Sequence, residues 1–170
     1  LLLINLDGFQ PINQALGYRG GDQVLREVAL RLRALSEPHM AARLAGDEFL
    51  MLLTTDPRPE EASALAMEIV AALSRPILVD GRETQLSCSI GIAMYPEHGA
   101  LSALFGHAET AMRSAKSAGG ASHAFFEARM INGSRDQAEL LRDLRQALQR
   151  NQLELYYQPK IHAPSGEITG

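Results

Sequence analysis

Two strand-like runs, His39 to Leu44 and Glu48 to Thr54, flank the three residues Ala45-Gly46-Asp47. Gly-Asp between apolar runs is the chemistry of a tight hairpin turn, and a hairpin pairs its strands antiparallel. Around it, strands alternate with helices. Leu1 to Leu6 is a short apolar strand. Helices are predicted over Phe9 to Leu16, broken by Gly17, and over Gln23 to Leu35 with Asp22 as N-cap. Glu60 to Ser74 and Leu101 to Ala118 carry apolar residues at helical spacing, the second ended by Gly119-Gly120. Ile77 to Val79 and Thr84 to Met94 read as strands around Asp80-Gly81, and Ser122 to Phe126 as a last strand. A hairpin inside that alternation argues against a doubly wound parallel sheet. The expectation is an α/β (α+β) fold, a mixed or antiparallel sheet flanked by helices.

The chain has 170 residues, 46% of them hydrophobic, enough to core one domain and carry an appendage. The texture changes after Arg129. Ser134 to Arg150 is a charged amphipathic helix, Leu153 to Gln158 a strand and Ala163-Pro164-Ser165-Gly166 a turn. We therefore expect a domain over 1–129 and a separate element over 130–170. The opening on Leu1 without Met, and a closing stretch that begins a new strand, suggest a piece of a longer protein. A net charge of −4 argues against a general nucleic-acid binder, so a polyanionic ligand would need local cations or a metal. The apolar runs are too short to span a membrane, and no secretory signal is evident. The expected setting is cytoplasmic, with any membrane anchor in the parent chain. The single cysteine, Cys88, excludes an internal disulfide and a cysteine-built zinc site, and alternates with apolar neighbours as a core residue does. His39, His98, His107, His123 and His162 show no ligand spacing and read as surface or structural.

Three segments carry candidate chemistry. In Arg43-Leu44-Ala45-Gly46-Asp47-Glu48-Phe49, adjacent carboxylates on a rigid turn suit a hard cation such as Mg²⁺; a plain hairpin turn is the commoner use of such residues. In Asn5-Leu6-Asp7-Gly8-Phe9, polar side chains at a strand end offer a second ligand, or a cap for the helix starting at Phe9. Gly17-Tyr18-Arg19-Gly20-Gly21-Asp22 is a glycine-rich stretch before a helix, suited to a phosphate but without the Gly-Lys-Ser/Thr of a Walker loop. Lys116, late in its helix, reaches an anion or complements the helix dipole.

The order of these blocks resembles the GGDEF family, the bacterial diguanylate cyclase domains, from Leu1 to about Phe126. The carrying residues are Asn5 to Asn13 with Gly17 and Gly21-Asp22; Arg43 to Phe49; Ser89-Ile90-Gly91-Ile92-Ala93; and Ala108 to Lys116. The tail, with Leu155-Tyr156-Tyr157-Gln158-Pro159 and Gly166, resembles the start of an EAL phosphodiesterase domain. The first resemblance implies a five-stranded, cyclase- or palm-like sheet. It implies condensation of two GTP to cyclic di-GMP by two-metal phosphoryl transfer, in a homodimer, with Mg²⁺ or Mn²⁺. It also implies residue roles. Asp47 and Glu48 are metal ligands and catalytic carboxylates, joined by the Leu6 carbonyl and by Asn5. Asn13 and Asp22 read guanine. Gly46, Phe9 and Gln10 line the substrate, and Lys116 meets phosphate. The second resemblance implies an adjoining EAL domain.

Departures from the pattern weigh as much. Asn5 stands in place of a metal-binding Asp, Gln10 in place of a Lys, Gly120 in place of an Arg, Tyr18 in place of a His and Ala45 in place of a Gly. Ser36-Glu37-Pro38-His39 stands where the product-inhibition motif would be. An amide oxygen coordinates without charge, and each lost preorganised contact costs about 10²–10³ in rate. The expected function is a degenerate GGDEF domain, weakly active or a GTP-binding regulator of the EAL phosphodiesterase. The alternatives are a competent cyclase and a pure scaffold or dimerisation module.

Overall fold

The structure is a computed structural model, and it describes residues 1–131, 142–147, 150, 152, 154–156, 159–163, 165 and 168. The chain divides into two compact units, Leu1–Ile131 and Asn132–Gly170. In the first unit the elements run β1 (Leu2–Asp7), α1 (Phe9–Ser36), β2 (Met40–Ala45), β3 (Glu48–Leu52), α2 (Pro59–Leu73), β4 (Ile77–Val79), β5 (Arg82–Thr84), β6 (Ser87–Ile92), α3 (Leu101–Ser117) and β7 (Ser122–Phe125). Five strands form one sheet in the order β2-β3-β1-β6-β7. All its pairs are antiparallel except β6 with β7. The mixed sheet flanked by helices matches the expected fold class.

β1 lies at the centre because every residue from Leu2 to Leu6 is buried, a run that suits only a strand covered on both faces. Its side chains alternate. Leu2, Ile4 and Leu6 pack into the large cluster formed with Val24, Val28 and Leu32 of α1 and Ala62, Ala66 and Ile69 of α2. Leu3 faces the other way, into a small cluster with Ala93 and with Leu104, Ala108 and Met112 of α3. α3 crosses close over β6 at Gly91. A Cβ there would lie 1.9 Å from the Ala108 carbonyl oxygen and 2.4 Å from the Met112 nitrogen, so only glycine fits.

Three local readings are corrected. Asp22 is not an N-cap, and Gly20-Gly21 is not a loop. Gly17 alone leaves helical geometry (φ 68, ψ 173), and α1 is helical on both sides of it. Glycine reaches that region without a Cβ clash, so one residue makes the bend. Gly20 and Gly21 serve close packing instead: a Cβ at Gly21 would fall 1.8 Å from Asn13 Oδ1, and one at Gly20 2.5 Å from Leu16 Cβ. The strand expected over Thr84 to Met94 is two strands. β5 pairs with β4 in a separate two-stranded sheet, while β6 joins β1. Ala45 belongs to β2 rather than to the turn, with a bulge between Arg43 and Ala45.

In the second unit, residues 142–147 are helical and Leu144 is 51% exposed. Most of the helix expected over Ser134 to Arg150 lies outside the described residues, Leu140 and Leu148 included. Of the strand expected over Leu153 to Gln158, residues 154–156 have no ladder partner among the described residues and are not a strand. A strand exists only through its ladder. An antiparallel bridge of Ile161 with Ile168 brackets the expected turn. No helix among the described residues is long and apolar enough to cross a membrane.

Candidate functional site

The face of the sheet under α3 is only partly covered, and its polar residues collect at one end. Asn5 follows Leu3 at a spacing of two and so lies on that face. Its register partners are Glu48 on β3 and Ser89 on β6, which puts Glu48, Asn5 and Ser89 in one row across three strands. Asn5 is 7% exposed, and its buried Oδ1 has no hydrogen-bond partner. Such an acceptor costs free energy unless something donates to it or coordinates it.

The hairpin turn abuts the same strand end. Leu6 donates its N–H to the Asp47 carbonyl oxygen at 3.1 Å. The Arg43 guanidinium donates twice to the Gly46 carbonyl oxygen, from Nε at 3.0 Å and from Nη2 at 2.8 Å. Gly46 itself sits at φ 54, where glycine is favoured. Asp47 and Glu48 are half-buried and pair with no cation among the described residues. The register sets Glu48, rather than Asp47, directly beside Asn5; Asp47 lies one residue further on, in the turn.

α3 runs from Leu104 near Ala93 back toward this end and stops at Ser117. Lys116 is exposed in its last turn and makes no ion pair among the described residues. α1 starts from the same strand end. Its N-cap is Gly8 at φ 74, with no side-chain cap and no acidic residue in the first turn. The first-turn N–H groups and the helix dipole are therefore open to an anion. Asp7, in the strand end that offered either a second ligand or a cap for α1, is turned elsewhere. It accepts hydrogen bonds from Ser87 Oγ at 3.0 Å, from Ser89 Oγ at 2.8 and 3.1 Å, and from the Ala121 N–H at 3.0 Å.

On α1, Phe9, Asn13 and Gly21 meet at the bend, where Asn13 Oδ1 fills the space a side chain at Gly21 would take. Asp22 is the next residue and is exposed, as is Gln10 near the start of the helix. The bend thus sets half-buried Asn13 against Gly21, the neighbour of exposed Asp22. The structure gathers the sequence candidates in two groups: Asn5, Leu6, Gly46, Asp47, Glu48 and Lys116 around the end of β1, and Phe9, Asn13 and Asp22 along α1.

Sequence reasoning named Ser89, Asp7 and Arg43 within its segments but gave none of them a role. Ser89 is fully buried beside Asn5; its signal was a hydroxyl, two residues after that of Ser87, in a strand of apolar residues and glycine. The partners of Asp7 lie 80 to 114 residues away, beyond any local pattern. The histidines are structural, as expected. His107 stacks on Phe126 at 3.9 Å and bonds the His98 carbonyl, His98 Nδ1 accepts the Met94 N–H, and His123 meets Ser63 at 2.9 Å. Burial lowers the pKa of His98 and His123. Cys88 is buried, and desolvation pushes its thiol up to about 12.

A protein-family model described as "Diguanylate cyclase, GGDEF domain" matches residues 1–122. The chain belongs to the GGDEF family. It is 43% identical over 172 residues to the bifunctional diguanylate cyclase/cyclic di-GMP phosphodiesterase MucR of Pseudomonas aeruginosa, covering all of this chain and 25% of MucR. It is 41% identical over 143 residues to the diguanylate cyclase TpbB of the same species, covering 82% of this chain and 30% of TpbB. The crystal structure of the GGDEF domain of TpbB superposes with a TM-score of 0.72 at 40% identity, covering 74% of this chain and 80% of that one. The chain thus spans about a quarter of the curated relatives it matches. It is a diguanylate cyclase-like GGDEF domain of the kind carried by cyclic di-GMP signalling proteins.

Within that family, the residues at the end of β1 fit a divalent cation. No cluster of three or more His, Cys, Asp or Glu gathers among the described residues. The donors on offer are instead an unpartnered amide oxygen, a strand-end carbonyl and two unpaired carboxylates, an all-oxygen set of the kind hard cations take. At Gly120 a side chain would be strained and tightly placed. The residue sits at φ 73, and a Cβ would come 3.0 Å from Asp7 Oδ2.

Proposed function

We propose that the domain binds GTP with Mg²⁺ or Mn²⁺ and acts mainly as a nucleotide-dependent regulator, with cyclase turnover weak. The observation that carries this reading is the orphaned Asn5 Oδ1 beside Glu48. It supplies a coordinating oxygen at the strand end but no charge. A cation held there is bound less tightly than by a carboxylate, so transition-state charge is stabilised less than in a site with a carboxylate at that position. In this reading Asp47, Glu48, Asn5 and the Leu6 carbonyl hold the cation. When bound, it neutralises phosphate charge and supports phosphoryl transfer. Lys116 and the uncapped start of α1 take the phosphates, with Phe9, Gln10 and Gly46 along the substrate. Asn13 and Asp22 read the guanine edge.

The target of regulation is an adjoining EAL phosphodiesterase, whose opening we place after residue 129, in the cytoplasm. Relatives support this: MucR is bifunctional, and the 35%-identical NbdA of Pseudomonas aeruginosa is a cyclic di-GMP phosphodiesterase. Turnover, where present, takes a homodimer with one GTP on each domain.

Calorimetry with GTP and ATP in Mg²⁺, followed by chromatographic analysis of a long incubation with GTP, tests the reading. GTP is expected to bind at least about tenfold more tightly than ATP, because a site built for one base edge leaves polar groups unpaired with the other, while little cyclic di-GMP accumulates. Equal affinities overturn the roles of Asn13 and Asp22. Absence of GTP binding leaves a scaffold, and rapid product formation makes the domain a competent cyclase, the reading favoured by the retained Asp47-Glu48 pair.

A further inference from the structure

Asp7 joins the end of β1 directly to the loop after α3. Two of its hydrogen bonds, from Ser87 and Ser89, join strands already paired. The third, from the Ala121 N–H, reaches the loop that follows α3. That loop takes an uncommon course. Gly119, Gly120 and Ala121 have φ of 120, 73 and 48, three left-handed residues in a row, and the last is not glycine. A non-glycine residue is strained at such a φ, so the surroundings must over-determine it. On the helix side, the Gly119 and Gly120 N–H groups close onto the Lys116 and Ala115 carbonyls. On the sheet side, the Asp7 carboxylate receives Ala121 and stands against Gly120.

From this geometry we propose that Asp7 is a positioning residue for the phosphate edge of the site. It straps the end of α3 to the end of β1 and so fixes Lys116 relative to Asn5 and Leu6. By spending its oxygens on Ser87, Ser89 and Ala121 it also leaves the first turn of α1 uncapped, open to a phosphate group. The same strap explains why residue 120 is glycine, since a side chain there displaces the carboxylate. The inference rests on the nucleotide reading of the site and adds to it the residue that sets the triphosphate end.

The test is Asp7→Asn in the whole chain, nearly isosteric but with one acceptor oxygen in place of two. Without nucleotide, hydrogen exchange at the amides of residues 119–121 is expected to rise at least about tenfold, on the scale of one charge-assisted hydrogen bond, while β1 amides stay protected. With ligand, affinity for GTP is expected to fall about tenfold, with guanosine affinity unchanged, and the loss to vanish in a Lys116→Ala background. Unchanged exchange in the loop overturns the strap. Exchange rising throughout β1, with GTP and guanosine weakened alike, overturns the positioning role in favour of a general structural one. If the unaltered chain binds no GTP, the proposed function fails separately, while the exchange measurement still decides the strap.

Discussion

The two faces of the central sheet were built for different ends. On one, α1 and α2 close over β1, β3 and β6 with aliphatic side chains, and Leu32, Ile69 and Ile90 are shut off from solvent. On the other, α3 covers a small patch around Leu3 and Gly91, then ends, leaving Glu48, Asn5 and Ser89 in a polar row. The first face holds the fold. The second gives up apolar burial at one end, and that end holds an amide oxygen without a hydrogen bond and two carboxylates without an ion pair among the described residues. A site that binds ions has to be under-packed and under-satisfied until its ligand arrives, and a sheet allows this on one face while the other supplies stability.

The largest effect should separate the faces outright. Leu32→Ala on the closed face is expected to cost about 2–5 kcal/mol, through lost burial and a residual cavity, without altering nucleotide selectivity below the melting transition. Glu48→Gln on the open face is expected to change stability by less than about 0.5 kcal/mol yet remove metal-dependent GTP binding. Thermal unfolding and calorimetry on both variants check this. A large stability loss in Glu48→Gln would make the open face as structural as the closed one.

Next is Gly91→Ala, at the point where α3 touches β6. The added methyl would meet the backbone of Ala108 and Met112, which cannot rotate aside, so α3 must lift. About 1–3 kcal/mol of destabilisation is expected, with greater hydrogen exchange along α3 than along α1. Equal exchange in both helices would show that α3 is not the separately held layer.

How much of this was readable in advance divides along the same line. Elements of the closed face announce themselves, because burial writes a continuous apolar run into Leu2 to Leu6 and helical spacing into Leu65, Ile69 and Leu73. The break between β5 and β6 was not readable. Alternation continues through Thr84, Leu86 and Cys88, and the break is imposed by two different pairing partners, β4 and β1. The course of α1 through Gly20-Gly21 was hidden for a like reason. Those glycines answer to Asn13 and Leu16 packed against them, not to a local turn. The candidate site was readable as residue types in family order. The orphaned oxygen of Asn5, the row it forms with Glu48 and Ser89, and the diversion of Asp7 depended on strand register.

A smaller effect probes the closed face by pH. Desolvation pushes the Cys88 thiol up to about 12, from an ordinary 9.0, so the fold holds the protonated thiol that an unfolded chain releases earlier. Stability from this source is intact below pH 9 and is lost as pH rises toward 12, with a slope of at most about 1.4 kcal/mol per pH unit. Denaturant titrations of the unaltered chain and of Cys88→Ala at pH 8 and pH 10.5 are expected to differ in their pH dependence by that sign. An identical decline in both would mean that Cys88 is not sealed in the core.

The smallest effect on stability bears most directly on the open face. Asn5→Asp puts a carboxylate opposite Glu48, one of the closest side-chain relationships in an antiparallel pair. Size and shape barely change, so the closed face, with Ile4 and Leu6 on either side of residue 5, should not respond. Without metal, two like charges directly opposite cost about 0.2–1 kcal/mol, and the new carboxyl, buried as Asn5 is, has its pKa raised. For a domain of this size that is a drop in Tm of roughly 2–4 °C per kcal/mol. Mg²⁺ should reverse the sign, because two carboxylates, the Leu6 carbonyl and Asp47 then form a charged oxygen cage. The variant is expected to melt below the unaltered chain in chelator and above it in millimolar Mg²⁺, with a gain in Mg²⁺-dependent GTP affinity. A lowered Tm that Mg²⁺ does not restore would mean that the row of Glu48, residue 5 and Ser89 is not where a cation sits. The orphaned oxygen of Asn5 would then be a cost of packing, and the under-filled face would need another reason to exist.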